Sequence, residues 1–246
     1  MISEHKHVIH DNLSQRIQSV DWSGKTQQLH EQGYVVVSGL LSSADCAEAI
    51  GWYADDARFR KTVNMARYRF GMGEYRYFSY PLPASLQVLR STLYPHLATV
   101  ANDWNRELKS AVTFPTSHDE LLDRCRAAGQ RLPTALILKY GPGGYNTLHQ
   151  DLYGDVYFPM QAVFLLSEPD ADFTGGEFVL IEQLPRAQSR AIVVKLNKGD
   201  ALIFTTRFRP VKGTKGYYRV NVKHGVSEIH QGNRYAMGII FHDATS

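Results

Sequence analysis

Tyr140-Gly-Pro-Gly-Gly-Tyr-Asn-Thr-Leu-His149-Gln-Asp151 sets a glycine- and proline-rich turn directly before a histidine and a carboxylate two residues apart. Residues i and i+2 of a strand face the same way. The spacing therefore predicts that His149 and Asp151 leave one strand side by side, aimed at one point. They supply two of the three ligands of a 2-His-1-carboxylate facial triad, which holds non-heme Fe(II) and leaves coordination positions open. A bare His-x-Asp occurs by chance in many chains. Here a Gly-Gly-Glu-Phe-Val-Leu run at 175–180 follows it, and His224 and Arg234 lie downstream.

The triad needs a second histidine from a later strand, and His224, His230 and His242 are the candidates. His224 lies in the strand-like run Arg-Val-Asn-Val-Lys-His-Gly-Val-Ser, before a glycine that lets backbones approach. His230 lies in a His-Gln-Gly-Asn turn, where a side chain more often faces water, and His242 lies at the end of the chain beside Asp243. His224 is the expected ligand. Arg234 follows across the Gln231-Gly232-Asn233 turn. A guanidinium facing into a barrel needs an anion, and a carboxylate is its natural bidentate partner. A keto-dicarboxylate such as 2-oxoglutarate would chelate iron at one end and give Arg234 the other.

Outward from this centre, the chain from about Pro133 reads as short β-rich runs separated by Gly, Pro, Asn and Asp, the pattern of an antiparallel barrel or jelly roll. Strands are expected at 135–140, 146–151, 161–167, 177–183, 191–196, 201–205, 219–227 and 235–241. Upstream, Gly33–Leu41 reads as a buried strand, and Ser42 or Ser43 caps a helix over 44–59. Ser85–Leu108 carries a helical leucine stripe that Pro95 kinks or divides, and 119–128 is a further helix ended by Gly129. Residues 1–20 are polar, and His5, His7 and His10 show no zinc-site spacing, so a mobile or loosely docked segment is expected. The fold class is α+β, mainly β, with N-terminal helices at 1–132 supporting a β core at 133–246 in one catalytic domain.

The segment 58–80 is basic and aromatic. Arg58, Arg60, Lys61, Arg67, Arg69 and Arg76 stand against Glu74 alone, interleaved with Tyr68, Phe70, Tyr75, Tyr77, Phe78 and Tyr80. Cations that meet phosphates and rings that stack on bases make a single-stranded nucleic-acid surface. A solvated basic hairpin whose rings pack on the core would look the same. Arg207–Arg219 is a second basic stretch near the expected iron strand, and together the two would rim the site and favour an anionic substrate such as DNA or RNA. Arg67, Arg69, Arg76 and Tyr77 are the candidate substrate residues.

The 246 residues carry a net charge of 27 − 24 = +3, with 43% hydrophobic and 21% charged residues, ordinary for a soluble globular chain. No apolar run is long enough for a membrane span, and the N-terminus lacks the apolar core of a signal peptide. The cytoplasm is the expected compartment, with Cys46 and Cys125 as buried, reduced thiols.

The series Tyr140, His149-Gln-Asp151, Gly175-Gly-Glu-Phe178, Lys198-Gly-Asp-Ala201, His224-Gly-Val-Ser227 and Arg234-Tyr235 resembles the Fe(II)/2-oxoglutarate-dependent dioxygenases, over Pro133 to Ala244. Within them it is most similar to a bacterial group described as nucleic-acid oxygenases (Oxygenase-NA), through Phe78-Ser-Tyr-Pro-Leu-Pro, Gln183-Leu-Pro-Arg-Ala-Gln-Ser-Arg and Ile240-Phe-His-Asp-Ala. The resemblance implies a double-stranded β-helix (jelly-roll, cupin-like) core. It implies Fe(II) on His149, Asp151 and His224, 2-oxoglutarate on Arg234 and Tyr140, and O2 as oxidant. The keto acid would be decarboxylated to succinate as the prime substrate is hydroxylated or demethylated. The AlkB-type repair enzymes carry a second arginine where this chain has Ile240, and the arrangement of His224 and Arg234 looks more like the prolyl-hydroxylase-like branch. Asp151 argues against the halogenase variant, which has a small residue there. A protein or small-molecule hydroxylase of the same chemistry and a cupin-like binding protein without turnover are the alternatives.

Overall fold

The computed structural model describes residues 12–246. His5, His7 and His10 lie outside the described residues. Residues 12–18 are helical and bury Leu13 and Ile17, so this part of the N-terminal segment is docked rather than loose: two apolar side chains four apart share one helix face.

Helix α1 (Trp22–Gln32) leads into β1 (Tyr34–Val37), and α2 (Ser43–Trp52) follows. Ser42 and Asp45 close a capping box at the start of α2, which satisfies backbone N–H groups that have no partner within the helix. This helix is shorter than its apolar pattern suggests. The Asp55 carboxylate accepts from Ala57 N–H and starts a 3-10 turn at Asp56–Arg58, after which β2 (Phe59–Asn64), β3 (Gly71–Met72) and β4 (Glu74–Phe78) run in succession. Helix α3 (Ala84–Glu107) continues through Pro95 without dividing. An interior proline costs about 3 kcal/mol, but Leu86, Leu89, Leu93, Leu97, Val100 and Trp104 are buried on both sides of it, and each such side chain contributes about 1.5–3 kcal/mol. Helix α4 (His118–Ala127) precedes the β-rich half.

That half contains β5 (Leu136–Tyr140), β6 (Tyr145–His149), β7 (Met160–Leu165), β8 (Phe173–Gly175), β9 (Phe178–Gln183), β10 (Ser189–Val194), β11 (Ala201–Thr205), β12 (Phe208–Gly213), β13 (Gly216–Val226), β14 (Ile229–Gly232) and β15 (Arg234–Ile240). A seven-stranded sheet has the order β1-β11-β7-β15-β5-β4-β2 and faces a second sheet ordered β10-β9-β13-β6-β3, with β12 on β13. This is the double-stranded β-helix core. Strand β12 and the short strands β8 and β14 were not expected.

Both β7 and β11 are buried along their whole length, because each face of the large sheet is covered. Ala162, Phe164 and Ile203 join the leucines of α3, while Val163, Leu165 and Phe204 join Phe178, Leu180 and Val222 between the sheets. A side-chain period of two thus sends alternate residues to two cores. Cys46 and Cys125 are buried and unpaired. No helix among the described residues is long and apolar enough to cross a membrane.

Candidate metal centre

The two histidines come from neighbouring antiparallel strands of the small sheet. His149 ends β6 and stands directly opposite His224 on β13, with ring centroids 4.2 Å apart. The close approach depends on Gly225, where an added Cβ would lie 2.6 Å from the Asn146 carbonyl oxygen. Asp151 does not continue the strand, which stops at His149. Gln150 causes the departure: its side-chain amide donates to the Arg207 and Val222 carbonyls at 2.9 and 2.8 Å. The carboxylate still converges. His149 Nε2 lies 3.6 Å from Asp151 Oδ1, and His224 Nε2 lies 3.3 Å from Asp151 Oδ2. One ligand atom from each of the three residues falls within 4.8 Å of the others, close enough to share a metal ion.

The surroundings fix these donors. His149 Nδ1–H donates to the Thr147 carbonyl at 2.7 Å, which leaves Nε2 as the free lone pair. Tyr153 donates its hydroxyl to Asp151 Oδ1 at 2.9 Å and lies 2.9 Å from the Tyr77 hydroxyl. The Phe178 ring stacks on His224 and Phe204 meets it edge-on. Burial pushes the Asp151 carboxyl up, but His224, His149 and the Tyr153 hydroxyl outweigh it and hold the group well below its usual range. Burial and the neighbouring His149 hold His224 down, toward the neutral imidazole that ligates metals. Gln161 Nε2 lies 3.2 Å from His224 Nε2; its position was not anticipated, and no local pattern marks it.

Across a pocket of about 300 Å³, the large sheet presents Arg234 and Tyr140, directly paired on β15 and β5. Arg234 is buried, and its Nε has no hydrogen-bond partner. The guanidinium stands 5.8 Å from the Tyr140 and Phe173 ring centroids, and burial lowers its pKa. A buried guanidinium with an unsatisfied N–H is costly unless an anion enters. The donor set therefore fits both groups: two imidazoles and a carboxylate for Fe(II), and a buried guanidinium with no ion pair among the described residues for the far carboxylate of 2-oxoglutarate.

The other expected site residues divide. Tyr77 lines the pocket with Tyr75. Arg76 does not reach it. It points to the opposite face of β4, paired with Asp56 at 2.6 Å and Glu74 at 3.2 Å and stacked on Tyr53. Arg58 is paired with Asp55, and Arg60 lies over the Tyr77 ring. Arg67 and Arg69 are exposed and alternate with Tyr68 and Phe70, whose rings stack 5.5 Å apart. Phe70 lines the pocket although 46% exposed. Its carbonyl accepts from Thr147 N–H and Oγ1–H at 2.9 and 2.8 Å, which pins this turn to β6. His230 is exposed, and His242 is buried away from the triad, accepting from Phe158 N–H.

Residues 73–244 match the Oxygenase-NA family, described as "Oxygenase, catalysing oxidative methylation of damaged DNA". The chain belongs to this family. It is 50% identical over 167 residues to the uncharacterized protein Rv2227 of Mycobacterium tuberculosis, covering 68% of this chain and 72% of that one. A prolyl-4-hydroxylase of Pseudomonas putida has a similar fold, with a TM-score of 0.51 at 16% identity over 88% of this chain and 96% of that one. A 2OG-Fe(II) oxygenase family oxidoreductase of Burkholderia pseudomallei gives a TM-score of 0.55 at 13% identity over 93% and 95%. A Trichoplax adhaerens prolyl hydroxylase, in complex with a hypoxia inducible factor peptide, gives 0.54 at 15% over 94% and 92%. The protein is thus an oxygenase of this family, with the fold of these 2OG-Fe(II) oxygenases and a His-Asp-His cluster placed to hold a metal ion.

Proposed function

We propose that this dioxygenase hydroxylates or demethylates a base in a nucleic-acid strand, with residues 1–246 acting as one catalytic unit. His149, Asp151 and His224 hold the iron, Arg234 binds the far carboxylate of 2-oxoglutarate, and Tyr140 hydrogen-bonds the same co-substrate. The observation that carries the substrate assignment is the exposed, stacked Tyr68–Phe70 pair, of which Phe70 lines the pocket, alternating along the chain with Arg67 and Arg69. Exposed rings beside cations suit unstacked bases and their phosphates. The family's description, which names damaged DNA, supports a nucleic-acid substrate.

When bound, iron and 2-oxoglutarate would supply the oxidising chemistry with O2 as the oxidant, one oxygen atom going to the prime substrate and the other to succinate, which leaves with CO2. The chain supplies geometry. Arg234 orients the co-substrate, Tyr153 fixes the Asp151 carboxylate, and Phe178 and Phe204 keep water from His224. Tyr75 and Tyr77 form the wall that a target base passes on its way in.

Succinate release with Fe(II) and ascorbate tests the reading, across methylated and unmethylated single- and double-stranded oligonucleotides beside proline-containing and basic peptides. Stimulation by oligonucleotides, lost when Phe70 and Tyr68 are both replaced by alanine, is the expected result. Stimulation by peptides alone would make this a protein hydroxylase.

A further inference from the structure

A cleft of about 540 Å³ lies between the C-terminal end of α3 and the β12–β13 hairpin. Arg124, Arg207 and Arg219 line it against one carboxylate, Asp155. Phe208 carries two of these cations: the guanidinium carbons of Arg219 and Arg207 lie 4.8 and 5.8 Å from its ring centroid. Neither forms an ion pair among the described residues, whereas Arg209, between them in the same hairpin, is bound to Glu182 at 2.8 Å.

The cleft is wired to the metal centre. The side chain of Gln150, between two of the triad residues, holds the Arg207 carbonyl, and so does Val222 N–H at 2.8 Å. Thr147, two residues before His149, holds Phe70 on another side of the triad. The stacking pair and the arginine cleft thus flank the iron-binding loop.

We propose that this cleft is a second, separate binding site that takes phosphodiester groups of the substrate strand, through Arg207 and Arg219. Guanidinium forks match phosphate oxygens bidentately, and two unneutralised guanidiniums held on one ring form a ready site for a bridging phosphate. The inference rests on the nucleic-acid reading above.

The test is fluorescence anisotropy of labelled single-stranded DNA and RNA 12-mers on the full chain loaded with Mn(II) and 2-oxoglutarate, from 50 to 200 mM salt. Each phosphate contact on a single strand contributes about 0.7 to the slope of log affinity against log salt. The Arg207→Gln/Arg219→Gln variant should flatten that slope by about 1.4, so its deficit against wild type shrinks about sevenfold over this range. Lys212→Gln/Lys215→Gln removes the same charge from the exposed hairpin tip outside the cleft and should move the slope by less than half as much. The proposal is overturned if the arginine variant keeps the wild-type slope, if the lysine variant flattens it equally, or if the wild type binds neither oligonucleotide. Binding with the expected slope change but no oligonucleotide-stimulated succinate would sink the catalytic reading and leave the cleft. Stimulated turnover with unchanged slopes would do the reverse.

Discussion

Replacing Tyr153 by phenylalanine removes one hydroxyl from the support of Asp151 and leaves the ring in place against Tyr77 and His242. That hydroxyl donates to Asp151 Oδ1 at 2.9 Å and is the only side chain besides the two histidines seen to hold this carboxylate among the described residues. A hydrogen bond to a charged acceptor contributes about 1.5–3 kcal/mol. At about 1.4 kcal/mol per tenfold, its loss corresponds to roughly 10- to 150-fold in affinity, which overlaps the 10–100-fold typical of groups that orient metal ligands. The Mn(II) dissociation constant, measured by titration calorimetry with 2-oxoglutarate present, should therefore rise about 10–100-fold. Tyr77→Phe disturbs only the neutral contact to Tyr153, worth about 0.5–1.5 kcal/mol, and should weaken binding less than about tenfold. Thermal unfolding of the apo protein separates a local loss from a global one. If Tyr153→Phe binds Mn(II) within about twofold of wild type at an unchanged Tm, the carboxylate is held well enough by the histidines and the reasoning fails.

Arg234→Gln should weaken 2-oxoglutarate about a hundredfold or more, since two charge-assisted hydrogen bonds are lost, while Mn(II) binding stays near wild type; equal losses of both would place Arg234 in general packing. At Gly176 the backbone is left-handed (φ +66°), and an added Cβ would lie 2.1 Å from Ile229 Cδ1 and 3.0 Å from Arg234 Cδ. Gly176→Ala should accordingly raise the 2-oxoglutarate Kd about tenfold, through about 1–2 kcal/mol of backbone strain and a displaced guanidinium; an unchanged Kd would show that the loop yields freely. Buried His118 and His242 have their pKa values pushed down to about 3 by burial and by Arg90. Unfolded, both bind protons below about pH 6.5, and folded they do not until about pH 3, so the unfolded state gains protons first and stability falls as pH drops through this window. The slope is about 1.4 kcal/mol per pH unit for each histidine, measurable by urea unfolding from pH 6.5 to 4.5, and His118→Gln should roughly halve the combined slope; a variant with the wild-type slope would refute the assignment.

Much of this architecture is legible in the chain because it rests on local signals. Apolar alternation marks most strands of the core, and Ala201–Thr205 coincides with its expected bounds. The run from His149 to Arg234 brings metal donors and a cation together because β6 pairs with β13 and β15, reached through the short β14, lies in the facing sheet. Strand β12 was hidden because Arg207-Phe-Arg-Pro reads as a polar loop, although Pro210 sits on an edge strand, where no ladder N–H is needed. Tyr153 and Gln161 were hidden for a different reason. Gln161 matters through a long-range neighbour, His224, 63 residues away, and Tyr153 through a loop that turns its hydroxyl back onto Asp151, two residues before it.

Arg76 is the most instructive departure, because the information that excludes it was already present. Tyr75, Arg76 and Tyr77 are consecutive, and a strand cannot aim all three at one pocket. The Tyr77 side chain turns inward to Tyr153, so Arg76 must turn outward, where Asp56 and Glu74 neutralise it. Counting charge along the chain places it on the rim; counting charge by face removes it. The same count retains Arg67 and Arg69, which lie outside any strand in the 3-10 turn and its cap. It also retains Arg207 and Arg219, which approach Phe208 from neighbouring chain segments. What survives is fewer cations than the composition of the basic stretches suggests, gathered at two places on either side of the His149–Asp151 segment. Under the nucleic-acid function proposed above, a strand crossing this enzyme has specific contacts to make, and the arginine and aromatic substitutions above test them separately.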